Sequence, residues 1–154
     1  IKAFPCRSRC FHLEFFRLRE DKKGLGKKGD LIGLEVNMRP PGGPTLDMMN
    51  YAADIDVYRI WANMVVYDEA LIDSAHKKYY TVYAARRKKH TYKIELEDIK
   101  KEYEDNIVME EDMPEITAGA MGDHYLIARF EDKEAIDPFV KKVIEADSYA
   151  DELL

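Results

Sequence analysis

The sequence predicts an α+β chain with a mostly antiparallel sheet and helices packed against it. Runs of β-forming residues occupy positions 11–16, 31–38, 79–86 and 125–130. Apolar residues recur at helical spacing over 57–67 and again over 132–146. Between the first two strands lies a stretch, 21–30, rich in glycine and charge that reads as an extended, solvated hairpin loop, which makes those strands antiparallel neighbours.

Composition narrows the function. The 154 residues are 46% hydrophobic, enough to bury one sizeable core but not two large ones. Lys and Arg number 24 against 30 Asp and Glu, a net charge of −6 that disfavours a general nucleic-acid or anionic-membrane binder. No apolar run approaches the length of a membrane span, and no signal-peptide pattern opens the sequence. Cys6 and Cys10 precede His12, yet a Cys-x3-Cys-x-His site lacks a fourth ligand, so the thiols read as reduced and structural, in keeping with a reducing cytoplasm.

The chemistry is concentrated in the first strand pair. In 11–16, alternation sets His12, Glu14 and Phe16 on one face and Phe11, Leu13 and Phe15 on the other. In 31–39 it sets Leu34, Val36 and Met38 on one face and Gly33, Glu35, Asn37 and Arg39 on the other. A carboxylate, an amide and a guanidinium, spaced roughly 6–7 Å per step, suit a site that holds a divalent cation beside an anion. Glu14 would add a second carboxylate, making room for one or two Mg²⁺. His12 reads as a packed, hydrogen-bonded strand histidine in preference to a substrate contact. Pro40, Pro41, Gly42 and Gly43 end the strand in a rigid turn whose glycines allow backbone N–H groups close to a ligand. Gly24-Leu25-Gly26-Lys27-Lys28 lacks both the spacing and the strand-to-helix setting of a phosphate loop.

Phe-His-Leu-Glu-Phe-Phe followed by Gly-Leu-Glu-Val-Asn-Met-Arg-Pro-Pro-Gly-Gly closely resembles the C-terminal half of an ATP-grasp domain. The nearest relatives are carboxylate ligases of the biotin carboxylase and carbamoyl-phosphate synthase type. The resemblance implies that Glu14, Glu35 and Asn37 hold the Mg²⁺ of Mg-ATP, with Mn²⁺ as an alternative. It gives Arg39 a catalytic role near the transferred phosphoryl group or the acceptor carboxylate, and puts Gly42 and Gly43 beside the nucleotide. The loop between the two glutamates is longer than is common in relatives.

Two further expectations follow from the resemblance. Residues 1–73 would be the C-terminal part of the catalytic subdomain, and 74–154 a small antiparallel α+β lobe. With Ile1 first and a strand close behind, the chain reads as a piece of a longer protein whose N-terminal lobe carries the glycine-rich loop and lysines over the phosphates. Such a piece would be inactive alone and would self-associate through its exposed strand. The intact protein would be a cytoplasmic ATP-dependent ligase that activates a carboxylate as an acyl phosphate for attack by an amine or other nucleophile. The rival reading is a non-catalytic α+β binding or interaction module.

The remaining elements follow in order. Thr45 or Asp47 caps a short helix reaching Ala52, and Asp56 caps a second whose stripe Val57, Ile60, Trp61, Met64 and Val65 is buried. Residues 74–78 form a polar connector, and strand 79–86 runs into Arg86-Arg87-Lys88-Lys89-His90. That cluster reads as a solvated strand end, or an anion contact in the intact enzyme, ahead of a nucleic-acid patch. A charged helix, 96–104, turns Leu96, Ile99 and Tyr103 inward. A brief strand at 107–109 leads into a turn-rich link over 113–123, and strand 125–130 follows. A last helix reaches Ala146, with Ala135, Ile136, Phe139, Val140, Val143 and Ile144 inward. Pro138 gives it an irregular first turn or a start near Asp137.

Overall fold

The computed structural model describes residues 8–72 and 78–148. Cys6 and most of the expected 74–78 connector lie outside the described residues. The fold is α+β with antiparallel sheets, as the sequence predicts. Two compact units divide it. One is built on the chain up to Leu46 and from Asp56 through the helix that follows. The other is built on Asp47–Ile55 and on the chain from Lys78 onward.

The first unit contains strands β1 (His12–Arg17) and β2 (Leu31–Asn37), the start of helix α1 (Thr45–Ala53), and helix α2 (Val57–Tyr67). The strands form a two-stranded antiparallel ribbon. Asp56 caps α2 as expected, its carboxylate accepting from the Arg59 N–H at 2.9 Å. At the other end Asp68 sits at φ +57, and Arg9 donates to its Oδ1 and to the Met64 carbonyl, closing the helix C-terminus. Two expectations need correction here. Thr45 is the first helical residue and not the cap, and its hydroxyl donates back to the Gly42 carbonyl. Of the α2 stripe only Val57 and Met64 are buried, while Trp61 is 42% and Val65 63% exposed. A two-stranded ribbon offers too little apolar surface to cover the whole stripe.

The second unit holds the core. Strands β3 (Tyr80–Arg86), β5 (Ile107–Asp112) and β6 (His124–Phe130) form a sheet in the order β3-β6-β5. Helices α3 (Leu96–Glu102) and α5 (Ile136–Ile144) contribute Ile99, Phe139 and Val143, which pack with Ala84, Leu126, Ala128 and Phe130. The Phe139 ring lies 5.0 Å from Tyr103 and 5.6 Å from Phe130, edge-on or tilted as aromatic quadrupoles prefer. Asp47–Ile55 is tied to this unit through the Ala52 carbonyl, which accepts from the N–H groups of Lys78 and Tyr79.

The expected last helix begins with a 3-10 turn, Lys133–Ala135, so that Pro138 falls in the first turn of α5, where its missing N–H costs no bond. That helix ends at Ile144, which is 46% exposed and not inward. Ala146 opens a short strand, β7 (Ala146–Ser148), paired with β4 (Thr91–Tyr92). The expected 113–123 link contains helix α4 (Glu115–Met121). Pro114 precedes it and Gly122, at φ +89, stops it, a punctuation that resembles turn composition in the sequence.

Candidate metal site on the first ribbon

The ribbon's register decides which polar groups meet. Antiparallel pairing sets His12 opposite Asn37 and Glu14 opposite Glu35. Residues directly opposite share a face, so all four side chains stand on one side of the ribbon. The Asn37 amide nitrogen lies 2.9 Å from His12 Nε2 and donates a short hydrogen bond to Glu35 Oε1. His12 Nε2 is 3.5 Å from Glu14 Oε1. The four groups form one connected polar patch, in which the His12 side chain is only 17% exposed and Glu14 is 48% exposed.

A bulge interrupts the expected alternation. After the Glu14–Glu35 pair the register skips Leu34, so that Phe15 pairs with Gly33. Gly33 therefore leaves the polar face, and a Cβ placed on it would meet the Phe15 ring at 4.0 Å. The strand's pairing ends at Asn37. Arg39 lies past it and donates to the neighbouring Pro40 carbonyl at 3.0 Å. The structure thus brings Glu14, Glu35, Asn37 and His12 together, and leaves Arg39 on the turn. Gly43 adopts φ +60, a left-handed conformation that favours glycine, whereas a side chain at Gly42 would meet open space.

Two carboxylates and an amide oxygen are hard donors of the kind Mg²⁺ takes when substrate oxygens and water complete its shell. Among the described residues no group of three or more His, Cys, Asp or Glu side chains is placed to close on one ion. The described side chains therefore form no cage around an ion. The acidic face is also open, which leaves space for a ligand's own oxygens.

Other expected features are absorbed by the fold. In the 21–30 loop the Lys27 and Lys28 N–H groups are taken by the carboxylates of Asp30 and Asp21, each at 2.8 Å. Gly26 lies against Asp30, with no room for a Cβ. Amides bound to the loop's own carboxylates do not cradle a phosphate. In the basic cluster, Arg86 donates to the carbonyls of Val143 and Ile94 at 2.7 and 2.8 Å, and its guanidinium lies 4.3 Å from the Tyr92 ring centre. Arg87 donates to the Gly119 carbonyl at 2.9 Å. Both arginines close helix C-termini, where cations complement the dipole, so the solvated-strand-end reading is corrected for these two. Cys10 is a free thiol whose burial raises its pKa, as suits a structural cysteine.

Sequence reasoning missed two polar clusters in the second unit. Asp54, at φ +49, pairs with Lys78 at 3.0 Å and Arg129 at 3.1 Å. His124 meets Asp112 at 3.0 Å and Glu110 at 3.2 Å, while the neighbouring Tyr125 hydroxyl donates to Glu111. Burial first, and the Glu111 carboxylate second, push the Tyr125 phenol up to about 12. The 12–14-residue separation of His124 and Tyr125 from their acidic partners left no local signal for these pairs. No family model, curated protein or solved structure matches the chain.

Proposed function

We propose that the intact protein is an ATP-dependent carboxylate ligase, and that this chain carries part of its Mg-ATP site. The observation that carries the reading is the direct opposition of Glu14 and Glu35 across the ribbon, with Asn37 on the same face. Resemblance to the ATP-grasp pattern supports the same roles. Glu35 is the principal metal ligand, and Glu14 and Asn37 are its companions. Mg²⁺, or Mn²⁺ in its place, supplies charge neutralisation on the β and γ phosphates when bound. Arg39, on the turn that follows β2, meets the phosphoryl group or the acceptor carboxylate in the assembled site. Gly42 and Gly43 give the nucleotide side of the turn. A carboxylate oxygen takes the γ-phosphoryl group of ATP as ADP leaves, and an amine or other nucleophile then attacks the acyl carbon and displaces phosphate.

This reading puts the protein in the cytoplasm, where ATP is abundant. Among the described residues no helix is long and apolar enough to cross a membrane. With Arg86 and Arg87 engaged at helix ends, nucleic acid is not among the proposed partners. The partners are ATP, a carboxylate substrate and an N-terminal ATP-grasp lobe. In the intact protein, Glu35→Gln should remove most Mg-ATP turnover, a loss on the order of several kcal/mol of transition-state stabilisation. Full activity at ordinary Mg²⁺ would overturn the assignment.

A second reading, a non-catalytic interaction module, is favoured by one observation. Leu13, Phe15, Leu31 and Val36 on the other face of the ribbon are all exposed. The discriminating sequence is that of the full gene. A glycine-rich loop and two strand lysines upstream favour the ligase, and their absence favours the module.

A further inference from the structure

We propose that the outer edge of β1 is a docking edge for a second copy of this chain, the two β1 strands pairing antiparallel about a two-fold axis at Leu13. The product is one four-stranded sheet in the order β2-β1-β1-β2. A second copy is the occupant because the strand is complementary to itself. The pairing needs neither nucleotide nor cation.

The two edges of the ribbon are not alike. Among the described residues β1 and β2 pair only with each other, so each strand has one outer edge. β2 contains Gly33, bulges at Leu34 and runs into Pro40 and Pro41, features that blunt an edge against further pairing. β1 has none of them. His12–Arg17 contains no Gly, Pro or Lys, its six residues pair without a gap, and positions 13–17 are all exposed. Phe11, just before it, is exposed as well. A regular, apolar strand with a bare edge is a template for another strand.

Symmetry and charge then select the register. In an isologous pair residue i meets j as j meets i. Opposed residues must lie on the same face, so i and j are both odd or both even, and the axis falls on a residue. Leu13, Glu14 and Phe15 are the competing centres. Because Glu14 is already opposite Glu35, an axis at Glu14 would line up four carboxylates across the sheet, and like charges directly opposite are destabilising. An axis at Phe15 would set Glu14 against the partner's Phe16 and Leu13 against the partner's Arg17. An axis at Leu13 sets His12 against the partner's Glu14, Phe11 against the partner's Phe15, and Leu13 against itself. Aromatic pairs and imidazole–carboxylate pairs stabilise a seam, and each occurs twice. The apolar row then reads Val36, Leu13, Leu13, Val36, since Leu13 and Val36 are partners within the ribbon. Glu14, whose neighbour in its own ribbon is a carboxylate, gains an imidazole at the seam.

The test uses the 154-residue protein with Cys6 and Cys10 changed to Ser and one new cysteine at a time. Directly opposed residues of an antiparallel pair have Cα atoms roughly 4.5–5.5 Å apart, inside the disulfide range, whereas diagonal neighbours at roughly 7–8 Å fall outside it. Under mild oxidation Leu13→Cys should form a covalent dimer about tenfold faster than Glu14→Cys, Phe15→Cys or Val36→Cys. Faster cross-linking at Glu14→Cys or Phe15→Cys would move the axis, and at Val36→Cys would put the contact on β2. Equal rates at all four sites would mean chance collision. Each of these outcomes overturns the proposal. His12→Glu sets carboxylates against one another at the seam and should weaken self-association about tenfold by light scattering. Adding Glu14→His restores both pairs with their members exchanged, and should restore association. A loss that the exchange does not repair, or a wild type that is monomeric at every concentration, would equally overturn it. If His12→Glu does not fold, the cysteine series, all at exposed positions, decides the matter.

Discussion

Glu14 and Glu35 are direct partners across the β1–β2 ribbon, so two carboxylates face one another on the same side of an antiparallel pair. Like charges in that position destabilise a strand pair, and opposite pairs stabilise it, by roughly 0.2–1 kcal/mol. Asn37 donates to Glu35 and His12 lies beside Glu14, and these contacts offset part of that repulsion.

The first expected outcome uses that conflict. Without divalent cations, Glu35→Gln should raise the stability of the protein by a few tenths to about 1 kcal/mol, because one of the two charges is gone. With Mg²⁺ in excess the wild type should gain stability by mass action and the variant should not. Thermal melts with and without Mg²⁺ check both halves. A variant that is less stable in chelator and equally responsive to Mg²⁺ would make the pair ordinary surface chemistry.

Arg39 should behave differently from the acidic pair. Among the described residues its guanidinium bonds only the adjoining Pro40 carbonyl. Arg39→Lys in the intact enzyme keeps the charge and loses the bidentate fork, and should lower kcat while nucleotide affinity stays nearly constant. Steady-state kinetics decide it, and an unchanged kcat would leave Arg39 as a turn residue.

How much of this was legible in the sequence depends on the range of the interaction. Period-2 alternation located β1 and β2 and put Glu14 and Glu35 on a common face, because strand geometry is local. It misplaced Gly33, because the bulge at Leu34 is fixed by pairing with β1 and not by the residues of β2 alone. The Trp61 stripe had the right period and the wrong burial, since burial depends on what the rest of the unit can cover. Arg86 and Arg87 read as a charge cluster, yet the helix ends they close lie far along the chain. Helix α4 was hidden by Gly119 and Gly122, which resemble a loop until Gly122 is seen as the residue that ends the helix.

Asp54 gives a pH dependence of known sign. The hydrogen bond from Lys78 lowers its pKa below the ordinary carboxylate value, with Arg129 adding to the effect. A depressed folded-state pKa means that its contribution is fully present above the unfolded value and is lost as pH falls through the folded one. Asp54→Asn should keep the φ +49 backbone, which Asn tolerates, and remove the charge. The melting-temperature gap between wild type and Asp54→Asn should be widest near neutrality and shrink as pH drops below about 4. A gap that is constant with pH would assign the effect to shape and not to charge.

Arg86 should be the costliest of the basic cluster to lose. Its side chain donates to three carbonyls, those of Val143, Ile94 and Lys142, and covers the Tyr92 ring. Arg86→Met leaves those acceptors without that donor and should cost about 2–4 kcal/mol, with Arg86→Lys recovering only part because a single ammonium cannot reproduce the fork. Urea denaturation measures the difference. Lys88→Met, at an exposed position on the same stretch, should cost far less, and equal losses would mean that the cluster acts through net charge alone.

The last expectation concerns the ribbon's other face. Leu13 pairs with Val36, Phe15 with Gly33 and Arg17 with Leu31, and Leu13, Phe15, Leu31 and Val36 are 37%, 51%, 57% and 51% exposed. Phe11, Leu34 and Met38 nearby are also exposed. Among the described residues neither outer edge of this two-stranded sheet is paired. Together these side chains offer apolar area on the order of the ~800 Å² per partner that a standard interface uses. A second copy supplies a matching surface with the same apolar composition and the same free edges, so the 154-residue chain should self-associate face to face or edge to edge. Light scattering across a dilution series should show mass falling with concentration. Phe15→Ser removes one half-exposed ring and should weaken association about tenfold or more, given roughly 1.5–3 kcal/mol for burying a phenylalanine. Strand alternation sets Phe15 on the side opposite Glu14, so the same variant should leave Mn²⁺ binding unchanged. A monomer at every concentration would refute association through this face, and a Phe15→Ser variant that lost cation binding would show that the two faces are not independent.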